Sequence, residues 1–327
     1  MIKMNKSTLL VVLLTAIFTI AILTGREFLK SETYTKEVEE TDVGSPEFFT
    51  IEGLVENPLN LTYADLRGFP LLSEVTTLKC VGSGRPPYGP EVTYNWTGVP
   101  LFYLLNMAKV MSGGYREVVF NATDGFSSSV SLEIAMDPTS ILALEANGTD
   151  LEEISGLGSG YRVAFPCRWG YKWVKWIKQI IIVDYDYKGT YEQYGLSDEA
   201  TRPNCTMPQT NPPSLTFNVT KIKEYTVKIL SNSSIESFGF KYNNQLIFNF
   251  SGKENSTGYF YVIFPENLLL DPYQIYVNDY MIDYSQTDYD DNAYLYFTYN
   301  NSIGTITIQG TTTTISGGGG SRTPLLK

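Results

Sequence analysis

The sequence predicts an α+β, β-rich domain followed by an all-β sandwich, the pair standing behind an N-terminal transmembrane helix. Three observations lead there. Leu9 to Leu23 is an unbroken run of apolar residues and threonine; strand-like and helix-like patterns mix between residues 48 and 200; and from Leu215 to Gly310 only strand-like alternation remains. The 327 residues suffice for two domains, each with its own core, and 43% apolar with 14% aromatic content is globular.

Lys3 and Lys6 precede the apolar run, which reaches about 19 residues if Ser7 to Gly25 are counted, enough to cross a bilayer. No Ala-x-Ala pattern follows, which favours an uncleaved anchor with the lysines inside; a cleaved signal peptide is the alternative, and both export the chain. The expectation is a single-pass cell-membrane protein with its bulk extracellular. Asn-x-Ser/Thr sites at Asn60, Asn95, Asn121, Asn147, Asn204, Asn218, Asn232, Asn249, Asn255 and Asn300 point the same way, towards N-linked glycans. Residues 26–47 are rich in glutamate without apolar periodicity and read as a solvated spacer.

Phe49 to Val55 alternates as a strand, Asn57-Pro58 marks a turn, and Thr62 is the expected N-cap of a short helix. Thr76-Thr77-Leu78-Lys79 is an apolar, β-branched run that ends on Cys80 and a glycine-rich loop. Pro100 to Met111 reads as a helix closed by Gly113-Gly114, with Leu101, Leu104, Leu105 and Ala108 on one face. Strands are expected at Val118 to Phe120 and Ser128 to Leu132 about the Asp124-Gly125 turn, then a helical turn to Met136 and a strand through Ala143 and Leu144 before Asn147-Gly148.

Tyr161 to Ile180 is the dense basic patch of an acidic protein, with Arg162, Arg168, Lys172, Lys175 and Lys178 among Trp169, Trp173 and Trp176. It suits an anionic, planar ligand; the plainer reading is that lysines keep a buried strand soluble. Thr201 to Pro213 reads as a proline-rich linker, and short strands from Leu215 onward read as a β-sandwich. Asp288, Asp290 and Asp291 fit a solvated turn better than a calcium loop. The resulting division is 1–25 anchor, 26–47 spacer, 48–200 first domain, 201–213 linker, 214–311 sandwich and 312–327 flexible tail.

A net charge of −11 repels a phosphate backbone, so no nucleic-acid partner is expected. The absence of histidine removes Ser-His-Asp and Cys-His nucleophiles, His-ligated zinc and any imidazole base. Three cysteines without CxxC spacing exclude a zinc ribbon. Outside the cytoplasm they suggest one disulfide and one remaining thiol; connectivity is open from sequence, and Cys167 with Cys205 is the expected pair.

Taken together, Leu78-Lys79-Cys80-Val81 with its glycine loop, Trp96-Thr97-Gly98-Val99-Pro100-Leu101, Asp124-Gly125 before Phe126-Ser127-Ser128-Ser129, and Arg162-Val163 to Pro166 with Gly170-Tyr171-Lys172 and Val174-Lys175-Trp176-Ile177 resemble the molybdopterin-binding domain of the sulfite oxidase family. The resemblance spans about residues 48 to 200. It implies a molybdenum-molybdopterin cofactor with Cys80 as metal ligand, and Arg162, Gly170, Lys172 and Lys175 as cofactor-binding residues. It also implies Arg85, five positions after the cysteine, as the substrate-oxyanion residue, and Tyr88 as a hydrogen-bond donor beside it. A soft thiolate suits a metal already held by sulfur. The implied activity is two-electron oxygen-atom transfer on a small oxyanion, sulfite or S-oxide substrate. With no CxxCH haem motif, electrons would leave through a separate partner. The family's histidines are absent, and Cys167-Arg168-Trp169 replaces a smaller, glycine-rich stretch. These departures leave a second reading, a non-catalytic, glycosylated, adhesive surface protein that keeps the fold as a scaffold. The C-terminal part resembles β-sandwich modules of archaeal surface proteins in strand pattern and Asn/Tyr/Thr content.

Overall fold

Alternation through Leu72–Lys79 turns Leu72, Glu74, Thr76 and Leu78 inward, and this strand organises the part of the molecule that carries Cys80. The computed structural model describes residues 46–81, 91–111, 113–154, 160–221, 223–241 and 244–311. The expected anchor, the spacer up to residue 45 and the tail, together with Arg85 and Tyr88, lie outside the described residues. Among those described, no helix is long and apolar enough to cross a membrane.

The first sheet runs Leu59–Thr62, Phe48–Gly53, Ile177–Val183, Glu117–Ala122, Ser127–Ser131; its one parallel pair is Phe48–Gly53 with Ile177–Val183. The second runs Thr210–Asn211, Leu72–Lys79, Glu91–Pro100, Ile141–Ala146, Thr149–Asp150, and Arg162–Ala164 pairs with Ile141–Ala146. Helices are few and short. Thr62 caps Tyr63–Gly68 as expected, accepting from the Asp65 amide while the Asp65 carboxylate accepts from the Thr62 amide, a reciprocal capping box.

The helix expected to run to Met111 spans Leu101–Ala108 only. Lys109 takes a left-handed conformation, φ 53°, and ends it well before Gly113. The expected linker is also less independent than its prolines suggest, because Thr210–Asn211 adds an edge strand to Leu72–Lys79.

Two further antiparallel sheets follow: Ser214–Thr220, Glu224–Ser231, Thr257–Pro265, Asn292–Asn300, Ser285–Tyr289, and Ser234–Lys241, Gln245–Ser251, Ile303–Gln309, Gln274–Val277, Tyr280–Ile282. They enclose a common core of Val227, Phe248, Phe250, Phe260, Val262, Leu295 and Ile306, the sandwich arrangement. Asp290 and Asp291, both at positive φ, form the tight turn between Ser285–Tyr289 and Asn292–Asn300.

Thr257–Pro265 is buried on both faces. Phe260, Val262 and Phe264 enter the sandwich core, whereas Tyr259 and Tyr261 join the core of the N-terminal sheets together with Leu230, Tyr294 and Tyr296. Period-two alternation thus sorts phenylalanine to one core and tyrosine to the other.

Candidate molybdenum-cofactor site

Cys80 follows the last residue of Leu72–Lys79, half-buried, where the antiparallel ladder with Glu91–Pro100 ends at the pair Lys79 and Glu91. Behind it Trp96 is fully buried, donating its indole N–H to Thr76 O at 3.0 Å and meeting Trp173 edge-on at 5.5 Å. This aromatic wall carries Arg162, whose guanidinium stands 5.9 Å from the Trp96 ring and donates through Nη2 to Trp173 O at 2.8 Å. Arg162 is buried, and it sits in the field of Cys80. Burial pushes the Cys80 thiol up and Arg162 opposes that rise, while burial lowers the guanidinium to about 10 and Cys80 works against the fall.

Gly170 completes the group. A Cβ there would lie 3.1 Å from Lys79 O and 3.2 Å from Cys80 Sγ, so a side chain would press on the sulfur where glycine leaves room. The structure therefore brings together Cys80, Arg162 and Gly170.

Lys172, expected among the cofactor-binding residues, has its ammonium engaged within the fold. The Lys172 ammonium is buried and bonded to Glu192 at 2.6 Å, Ser129 O at 2.7 Å and Asp198 at 3.1 Å. A buried cation is stable only with such partners, and Glu192, some 20 residues on, is the counter-charge that sequence reading did not find. Lys175 forms an isolated backbone bridge with Arg162 and lays its ammonium 3.7 Å from the Trp176 ring centroid. Cys167 is bonded to Cys205, and Cys80 takes no part in that disulfide. Arg202, in the expected linker, reaches across to Thr77 O at 2.5 Å, a contact with no signal in the local sequence.

The family model of the oxidoreductase molybdopterin binding domain matches residues 43–191. This segment belongs to that family. Relatives include the NADPH nitrate reductase of Neurospora crassa, 32% identical over 188 residues, 49% of this chain and 18% of that protein. Another is the NADPH nitrate reductase of Fusarium oxysporum, 28% identical over 63% of this chain and 24% of that protein. The uncharacterized oxidoreductase YuiH of Bacillus subtilis is 28% identical over 44% of this chain and 69% of its own. The solved sulfane dehydrogenase SoxCD of Paracoccus pantotrophus aligns with TM-score 0.40 and 18% identity over 78% of this chain and 63% of that one. The chain thus spans under a quarter of the length of the nitrate reductases it matches.

The family implies a molybdenum-pterin cofactor, and the residues present fit one. Cys80 offers a single soft sulfur at a half-open position, Arg162 a cation beside it, and Gly170 the close approach that a bulky ligand needs.

Proposed function

We propose that this chain is a molybdenum-pterin oxidoreductase performing two-electron oxygen-atom transfer on a small oxyanion or S-oxide, held outside the cell by its N-terminal segment and passing electrons to a separate partner. The observation that carries this is the convergence of Cys80 Sγ, the Arg162 guanidinium and the open face at Gly170. The cofactor, when bound, supplies the redox couple and the oxo chemistry. The chain's residues would do the rest: Cys80 would ligate, Arg162 offsets part of the burial penalty on its thiolate and would offset the ligand's negative charge, and Trp96 and Trp173 hold Arg162 in place. Sulfite is the family's substrate class, and the relatives named nitrate reductases extend it to nitrate.

Metal analysis of the ectodomain, expressed in a cofactor-competent host, should find stoichiometric molybdenum. Cys80→Ser should lose the metal and turnover while keeping its fold, because a hydroxyl is a poor soft-metal ligand. Molybdenum content unchanged in that variant would remove Cys80 from the site.

The commitment of the Lys172 ammonium to Glu192 and Asp198 favours the second reading, a surface scaffold without catalysis. That reading requires a wild-type chain without molybdenum from the same host.

A further inference from the structure

Residues 203–209 cross the molecule between two firm anchors. On one side Arg202 donates its amide to Cys167 O at 2.9 Å and its guanidinium to Thr77 O. On the other, Thr210–Asn211 pairs with Leu72–Lys79. Between them, Pro203 to Gln209 make no backbone–backbone hydrogen bond among the described residues, so the tie that holds this stretch down is the disulfide from Cys205 to Cys167. Beside it lies a partly open cleft of about 510 Å³, lined by both cysteines and by Phe165, Arg168, Arg202 and Met207, so that Cys205 and Met207 form its border on this stretch. Phe165, one of its lining residues, is 1% exposed and packs inward on Phe120.

The two sulfurs are not equivalent. Cys205 is half-exposed on the crossing segment, whereas Cys167 is buried in the wall. An incoming thiolate therefore reaches Cys205 and expels Cys167 as the leaving thiolate. Arg168 and Arg202 line the same cleft as that sulfur, and cations in a thiolate's surroundings stabilise its departure. Arg168 is itself steadied by donating to Glu199 O and Thr201 Oγ1, both at 2.7 Å. Cys167 also stands at φ 61°, the left-handed region that L residues other than Asn and Asp rarely adopt.

We infer that Cys167–Cys205 is a redox-operated strap: a dithiol reductant opens it, freeing residues 203–209 and widening the cleft they border down to Phe165. The dithiol gives two electrons and two protons and becomes a disulfide; the Cys167–Cys205 bond breaks and both residues become thiols. Exchange with an external disulfide closes the strap again. None of this depends on molybdenum.

The test uses the full chain treated with dithiothreitol, the number of alkylated cysteines rising from Cys80 alone to all three. Hydroxyl-radical labelling of Phe165 should rise about tenfold as both sulfurs are reduced, with far-ultraviolet circular dichroism unchanged, because only a local segment opens. Oxidised dithiothreitol should restore the protection. Cys205→Ser should label at Phe165 without any reductant. Protection of Phe165 that survives full reduction overturns the inference, as does loss of the whole fold on reduction, which would make the bond a global staple.

Discussion

Glu74 has both carboxylate oxygens buried without a hydrogen-bond partner, on the strand that leads to Cys80. Burial, aided by the charge of Asp137, pushes its carboxyl from 4.5 up to about 9, so it stays protonated in the folded chain at neutral pH. Below its unfolded value both states hold the proton and the group carries no ionisation penalty. Through the window from 4.5 to about 9 the unfolded chain releases the proton and the folded chain does not, so stability falls as pH rises, by up to about 1.4 kcal/mol per unit. Glu74→Gln should flatten that slope. Thermal melts of both proteins between about pH 5 and about pH 8 should diverge towards the alkaline end, with the variant the more stable there. Parallel curves would mean that Glu74 finds a partner in solution. The same physics acts on Arg162 and Cys80, where burial and a neighbouring opposite charge pull in contrary directions.

At the scale of elements, Leu101–Ala108 shows how a short helix is stabilised from outside. Eight residues are marginal on propensity alone, and Pro100 supplies no side-chain cap. Phe102 stacks on Tyr261 with centroids 3.6 Å apart and planes within 1°, Tyr103 meets Tyr296 edge-on at 5.1 Å, and the Tyr261 hydroxyl donates to Met136 O at 2.9 Å. Tyr261→Ala should cost about 3–5 kcal/mol, while Tyr261→Phe should cost about 1 kcal/mol through the loss of that hydrogen bond. Denaturant midpoints of the two variants measure the difference. Equal losses would place the stabilisation in the hydroxyl rather than the ring.

In the molecule as a whole, the C-terminal sheets are structural partners of the cofactor-binding part. Tyr259, Tyr261, Tyr294 and Tyr296 lie in the same core as Phe102 and Leu105, so the seam is built like an interior. A chain ending after residue 213 leaves Phe102 and Tyr103 uncovered. It should aggregate or lose its cooperative melt, as calorimetry beside the intact chain would show. A sharp melt near the wild-type temperature would make the sandwich an independent appendage.

Local chemistry was readable from the chain alone. Thr62 as an N-cap, the Asp124-Gly125 turn, the short strands after Leu215 and the motif around Cys80 each depend on residues close in sequence, where conformational preference and periodicity act directly. The absence of histidine likewise narrowed the chemistry without any coordinates. Pairings over long separations were not readable. The end of the helix at Lys109, the burial of Lys172 against Glu192, the reach of Arg202 to Thr77 and the tyrosine seam were decided by tertiary structure. The reason is physical: whether a cation faces a ligand or a buried carboxylate depends on which groups share its low-dielectric surroundings, and only the packed chain determines that.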